Sequence, residues 1–120
     1  MIFLRKKNKR NSLLWEIKEE DFNCIISSIT VFELYAGAVT PRHIKDLEKL
    51  LRWLEIVSLT REIAEQSAEI YKRLRRKNQL IEFRDIFIGA TSMVLNIPLI
   101  TFNKEHFKRI EGIKIFNKDI

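Results

Sequence analysis

Glu33, Asp85 and Asn103 are the side chains best placed to do chemistry, because each interrupts or borders a stretch with almost no charge. Glu33 is the only charged residue between positions 23 and 40, and residues 86–102 carry no charge at all. On a helix Glu33 shares a face with Ile29, Phe32 and Ala36, the i, i+3 and i+4 neighbours that normally turn inward. Burying a carboxylate there without a partner costs several kcal/mol or forces a pKa shift. Either Arg84 compensates it in a buried salt bridge with no chemistry, or the carboxylate belongs to a working site. Asp85 and Asn103 also have plain readings, as a helix cap and as a turn former at a strand end.

The elements that must position these residues centre on residues 81–107. The apolar run breaks at Asn96 and Pro98, which predicts a helix over 85–95, a turn, and a short strand over 98–101. Asp85 then stands at the mouth of the helix and Asn103 just past the strand. In an α/β layer fold both can face the crevice at the carboxyl ends of the strands, where ligands of open sheets bind.

The remaining pattern alternates strands and helices. FNCIIS at 22–27 reads as a buried strand, followed by a helix over 29–38 capped by Ser28 or Thr30. Thr40-Pro41 starts a helix that runs to about residue 53, with Ile44, Leu47, Leu51 and Leu54 on one face. Residues 55–59 suit an edge strand. Thr60 then caps a long helix whose buried stripe is Ile63, Ala64, Ser67, Ile70, Tyr71 and Leu74, with Glu69 and Arg73 paired on its outer face. Residues 105–109 suit one helical turn and 112–116 a last short strand. This order is that of a sheet with helices on both faces.

Composition narrows the class. The 120 residues suit one domain, and the net charge of +6 favours an anionic partner such as nucleic acid, though it also serves solubility. Cys24 is the sole cysteine, so an intrachain disulfide and a cysteine zinc cage are both excluded, and a buried, inert thiol in a reducing cytosol is expected. The N-terminus meets charge after four residues, too soon for a secretory signal, and residues 86–102 are too short and too interrupted for a membrane span. A soluble, cytoplasmic protein is expected. The basic runs at 5–10 and 72–77 read as phosphate contacts, or as a solvated turn and as cations complementing a helix dipole. Leu13, Leu14 and Ile17 make a short helical stripe with Trp15 packed beside it, and His43 reads as a surface residue.

The strings SSITVFELYAG, RDIFIGA and PLITFNKEHFKRIEGIKI resemble, in order and separation, the VapC-like toxins of the PIN-domain ribonuclease family over residues 11–115. The resemblance implies a three-layer α/β/α sandwich with a small, mostly parallel sheet. It implies an endoribonuclease in which acidic side chains hold Mg²⁺ or Mn²⁺, a VapB-like antitoxin that blocks the site, and a homodimer. Residue by residue, the Glu of the ELxxG segment falls on Glu33 and the Asp opening the RDxxIGA helix on Asp85, both as metal ligands. The position after the strand falls on Asn103 and the usual hydroxyl on Thr101. His106 replaces an acid found in many relatives and is not counted as a ligand. Glu82 is a possible extra carboxylate.

One departure stands beside these matches. The family opens with an apolar strand ending in Asp, whereas the first acidic residue here is Glu16. Either Met1–Leu4 is that strand with Arg5 in the acid's place, or the chain starts after it; the second is expected, with FLRKKNKR belonging to the following helix. The first strand and one metal ligand are then missing, and activity is weak or absent. Two rivals follow: an inactive PIN-like module that binds antitoxin or RNA, and a structural domain in which Glu33 merely pairs with Arg84.

Overall fold

Hydroxyl side chains start three of the helices. Ser27 Oγ accepts from the Ile29 N–H at 3.0 Å, Thr40 Oγ1 from the His43 N–H at 3.1 Å, and Thr60 Oγ1 from the Ile63 N–H at 3.2 Å. Each satisfies a donor that has no partner within its own helix. A computed structural model describes residues 2–6 and 22–116, with side chains described from Cys24 onward. In chain order the elements are β1 (Ile2–Lys6), β2 (Phe22–Ser27), α1 (Ser28–Gly37), α2 (Pro41–Leu51), β3 (Glu55–Val57), α3 (Arg61–Arg76), α4 (Phe83–Leu95), β4 (Leu99–Ile100) and α5 (Lys104–Phe107). The expected alternation is present, with Ser27 capping α1 in place of Ser28 or Thr30.

The sheet has the order β3-β2-β1-β4. β2 and β3 are parallel, and β1 runs antiparallel to both β2 and β4, so β1 alone opposes the common direction. Leu99 also bridges Ile115 in parallel, where a last short strand is expected. β3 lies at the edge, as its sequence predicts.

Residues 3–6, expected in a helix, are instead part of β1. The gap expected at the centre of the sheet is closed by this reversed segment. The flanking strands present rows of N–H and C=O groups that demand partners, and the sequence IFL supplies an apolar segment able to pair with them. Because Ile2 pairs with Ile100, it is the amino end of β1 that lies at the carboxyl ends of its neighbours. IFLRK contains no acid, so β1 contributes no carboxylate to the crevice there.

The core joins Ile25 of β2, Ile63, Ile70 and Leu74 of α3, Ile86 and Ile88 of α4, Leu99 of β4 and Phe107 of α5. Gly89 gives room to the tip of Ile110 after α5, since a Cβ there would lie 2.5 Å from Ile110 Cδ1 and that side chain would have to shift. The buried stripe of α3 is Ile63, Ser67, Ile70 and Leu74. Tyr71 is half-buried and Ala64 exposed.

Several local expectations are corrected. Glu69 pairs with Lys72 at 3.7 Å, one residue nearer than Arg73, and Cys24 is half-buried. On α1 only Thr30 is buried, while Phe32 is 69% exposed. That helix is apolar all round, so periodicity could not mark an inward face. The stripe at Leu13, Leu14 and Ile17, Trp15, and the basic residues 7–10 lie outside the described residues. Among the described residues no helix is long and apolar enough to cross a membrane.

Candidate active site

α4 begins two residues earlier than the sequence suggests, with Glu82 at the N-cap position and Asp85 inside the first turn. Asp85 is therefore not the cap. It is 3% exposed, and it enters the interior from the end of the helix where backbone N–H groups favour negative charge.

The end of β4 supplies the facing groups. Thr101 is buried, and its Oγ1 accepts the Asn103 N–H at 2.9 Å, which fixes the turn between β4 and α5. Asn103 Nδ2 lies 2.8 Å from His106 Nδ1, and the same Nδ1 lies 3.4 Å from Asp85 Oδ2. Asp85, Asn103 and Thr101 are thus brought to one place, with His106 joining them. His106 was set aside on sequence because it stands where relatives carry an acid. The available signal was its i+3 spacing from Asn103, which puts both on one face of the single turn of α5.

Glu33 reaches this region through Arg84. Arg84 Nη1 lies 3.0 Å from Glu33 Oε2 and its Nη2 lies 3.2 Å from Glu82 Oε1, so one guanidinium takes both carboxylates. The Glu33 side chain is 29% exposed and that of Arg84 54%, so the partner foreseen for Glu33 is present but the pair is not buried. Among the described residues no hydrogen bond or ion pair links Glu33 directly to Asp85. Glu82 is occupied with Arg84 on the surface and does not turn inward as an additional carboxylate.

The donor set decides which ions it suits. Among the described residues no three His, Cys, Asp or Glu side chains converge. What converges is one buried carboxylate, one imidazole nitrogen and one side-chain amide. A hard divalent ion takes one or two carboxylates and keeps several waters, so this set fits a loosely held ion and not a closed cage. Elsewhere, Lys77, Lys108 and Arg109 line a polar cleft with Gln79, Glu105 and Glu111, and Lys108 pairs with Glu105 at 3.5 Å. Arg109 Nη1 donates to the Leu80 carbonyl at 3.2 Å, tying the turn before α4 to the end of α5.

Comparison with known proteins identifies the family and the fold. The PIN domain family model matches residues 2–113. Ribonuclease VapC1 of Methanocaldococcus jannaschii is 35% identical over 95 residues, covering 78% of this chain and 70% of the relative. Among solved structures, VapBC-1 from nontypeable Haemophilus influenzae aligns with a TM-score of 0.73 at 25% identity, covering 78% of this chain and 72% of the other. VapBC2 from Rickettsia felis, bound to a DNA fragment from its promoter, aligns with a TM-score of 0.72 at 28% identity, covering 78% and 73%. The motifs that carry the resemblance lie on α1, α4, β4 and α5, and the chain belongs to the PIN-domain family, among its VapC-like members.

Proposed function

We propose that this chain is a divalent-metal-dependent endoribonuclease, the toxin half of a VapBC-type toxin–antitoxin pair. The observation that carries the reading is the burial of Asp85 in the first turn of α4, with its carboxylate 3.4 Å from His106 Nδ1, which Asn103 also contacts. A buried carboxylate without a full ion pair is expensive unless a cation compensates it. The VapC name of the relatives and the VapBC assemblies of the structural neighbours support the same reading.

In this proposal Asp85 and Glu33 hold Mg²⁺ or Mn²⁺, directly or through water. When bound, the ion lowers the pKa of the attacking water and offsets charge developing on the phosphate oxygens. Asn103 orients a water or the scissile phosphate, and Thr101 holds Asn103 in place while its own O–H remains able to donate. Lys77, Lys108 and Arg109 hold the RNA backbone without reading its sequence. A VapB-like antitoxin, a homodimer and a cytoplasmic setting complete the reading. Low activity is expected of this chain, because Arg84 already occupies Glu33 and β1 brings no third acid.

The experiment is RNA cleavage with Mg²⁺ or Mn²⁺, comparing the chain with Glu33→Gln and Asp85→Asn. Rates that fall at least about tenfold in both variants support the nuclease. Equal rates overturn it. A second reading, an inactive module that binds antitoxin or RNA, is favoured specifically by the Arg84–Glu33 contact. It is the answer if RNA binding persists without cleavage in every variant.

A further inference from the structure

We infer that Phe102 is a stacking platform for one unpaired base, so that the chain takes single-stranded RNA in preference to duplex. The inference rests on the proposed RNA substrate and goes beyond it by naming the strandedness and the side chain that senses it.

Phe102 and Phe107 have opposite fates. Phe107 is fully buried in the core, whereas Phe102 has a relative exposure of 107%. Single exposed apolar residues are ordinary on protein surfaces, and Phe102 is set apart by its neighbours. It stands between Thr101 and Asn103. Thr101 is buried, its Oγ1 accepts the Asn103 N–H at 2.9 Å, and Asn103 Nδ2 lies 2.8 Å from His106 Nδ1. The chain on both sides of Phe102 is therefore held, and the ring is presented outward from a fixed turn. Keeping an aromatic ring in water forfeits the gain of burial. A flat apolar ligand laid on the ring recovers it.

The flanking chemistry selects a nucleobase as that ligand. Residues 102–104 offer, in order, a π face, a side-chain amide and an ammonium group, and all three residues are exposed. The acid next to them, Glu105, is taken by Lys108 at 3.5 Å, and among the described residues Lys104 has no ion pair. An aromatic ring beside an uncompensated cation is the combination that holds single strands, the ring taking a base and the cation a phosphate. The net charge of +6 acts in the same direction. In a duplex both faces of each internal base are covered by its neighbours, so the ring can reach only a base that has left the stack.

Phe83 supplies the internal contrast. It is 64% exposed and makes an edge contact with the Tyr71 ring at 5.8 Å. On α4 it lies about 200° around the helix from Asp85, and it lines an apolar groove with Ala64, Ala68 and Ile86. Its ring is already half of an aromatic pair on another side of the helix.

The test is binding of a mixed-sequence single-stranded RNA of about twelve nucleotides, measured in EDTA so that no metal-dependent cleavage intervenes. Phe102→Ala should weaken binding about fivefold to a hundredfold, and Phe102→Trp should restore it to within about threefold. Phe83→Ala should leave it unchanged. Because stacking is not an ionic contact, the Phe102→Ala loss should be the same at low and high salt, whereas Lys104→Ala should flatten the salt dependence. The same RNA annealed to its complement should bind wild type and Phe102→Ala alike. Equal affinities of wild type and Phe102→Ala for the single strand overturn the inference and leave the ring to a protein partner. An equal loss on the duplex overturns it too. Cleavage with Mg²⁺ or Mn²⁺ is read separately. A refuted Phe102 with cleavage intact leaves the proposed nuclease standing, and a Phe102-dependent affinity without cleavage upholds the inference and removes the nuclease. Absence of any RNA binding overturns both.

Discussion

Arg84 Nη1 lies 3.0 Å from Glu33 Oε2, and Arg84 is the residue immediately before Asp85. One guanidinium therefore ties α1 to the first turn of α4. The planar fork of Arg allows it to take Glu82 at the same time. Both partners keep contact with water, so the pair adds at most about 1 kcal/mol to stability. Its larger effect is on charge: the Glu33 carboxylate is already compensated by Arg84.

Removing that compensation should favour the ion. In Arg84→Met the melting temperature without metal is expected to change by no more than the equivalent of about 1 kcal/mol. Affinity for Mn²⁺ should rise about threefold to tenfold as Glu33 becomes available. Calorimetric titration of both proteins reads this directly. A large loss of stability with no gain in affinity would mean that the contact is purely structural.

Asp85→Asn keeps the side-chain shape and removes the charge. Because an ion that binds only the folded chain stabilises it by mass action, wild type at a hundredfold excess over Kd should gain about 2.7 kcal/mol. In Asp85→Asn this gain should vanish, with the metal-free melting temperature the same or higher, since a buried charge has been removed. Thermal melts with and without Mn²⁺ suffice. An undiminished metal effect would assign the ion to other residues.

The basic cleft of Lys77, Lys108 and Arg109 makes a separate claim about RNA. Replacing both Lys77 and Lys108 with Ala is expected to weaken RNA binding uniformly across sequences and to lower the slope of log K against log salt by about 1 to 2. Cleavage at saturating RNA should stay unchanged, because neither side chain touches Asp85. Filter binding over a salt series measures the slope. A change in sequence preference in place of the slope would show that these lysines read bases.

Much of this arrangement was legible in the residues. The helix starts at Thr40 and Thr60 and the strand at Phe22–Ser27 follow from caps and a short apolar run, whereas Asp85 and Asn103 are joined only through His106. What escaped depends on partners distant in sequence. The inward face of α1 could not be read because that helix is apolar on every side and its neighbours, not its period, choose which residues are covered. The direction of β1 was equally hidden. A short apolar segment pairs in either sense, and the vacant edges of β2 and β4 select it by hydrogen-bonding demand. The place of His106 beside Asp85 was hidden because it depends on the turn between β4 and α5, which no local pattern reports.

Thr30 offers a way to separate packing from function on the Glu33 helix. Among the described residues its Oγ1 is the buried side-chain polar atom with no hydrogen-bond partner, and it lies three positions before Glu33, on the same side of α1. An unpaired buried hydroxyl forfeits its hydrogen bonds to water and gains nothing in return, a loss of about 1 to 3 kcal/mol. Thr30→Val keeps the branched shape and removes that polar atom. If the hydroxyl is only a packing compromise, the variant should melt higher by roughly 4 °C, the equivalent of about 1 kcal/mol for a domain of this size. Its metal-dependent stabilisation should then match wild type. If the hydroxyl serves the site, by reaching a water or the ion beside Glu33, the metal-free protein still gains stability but the increment on adding Mn²⁺ shrinks. Two melts, each with and without the ion, distinguish the cases, because an effect of packing moves both curves together and an effect on the site moves only their separation.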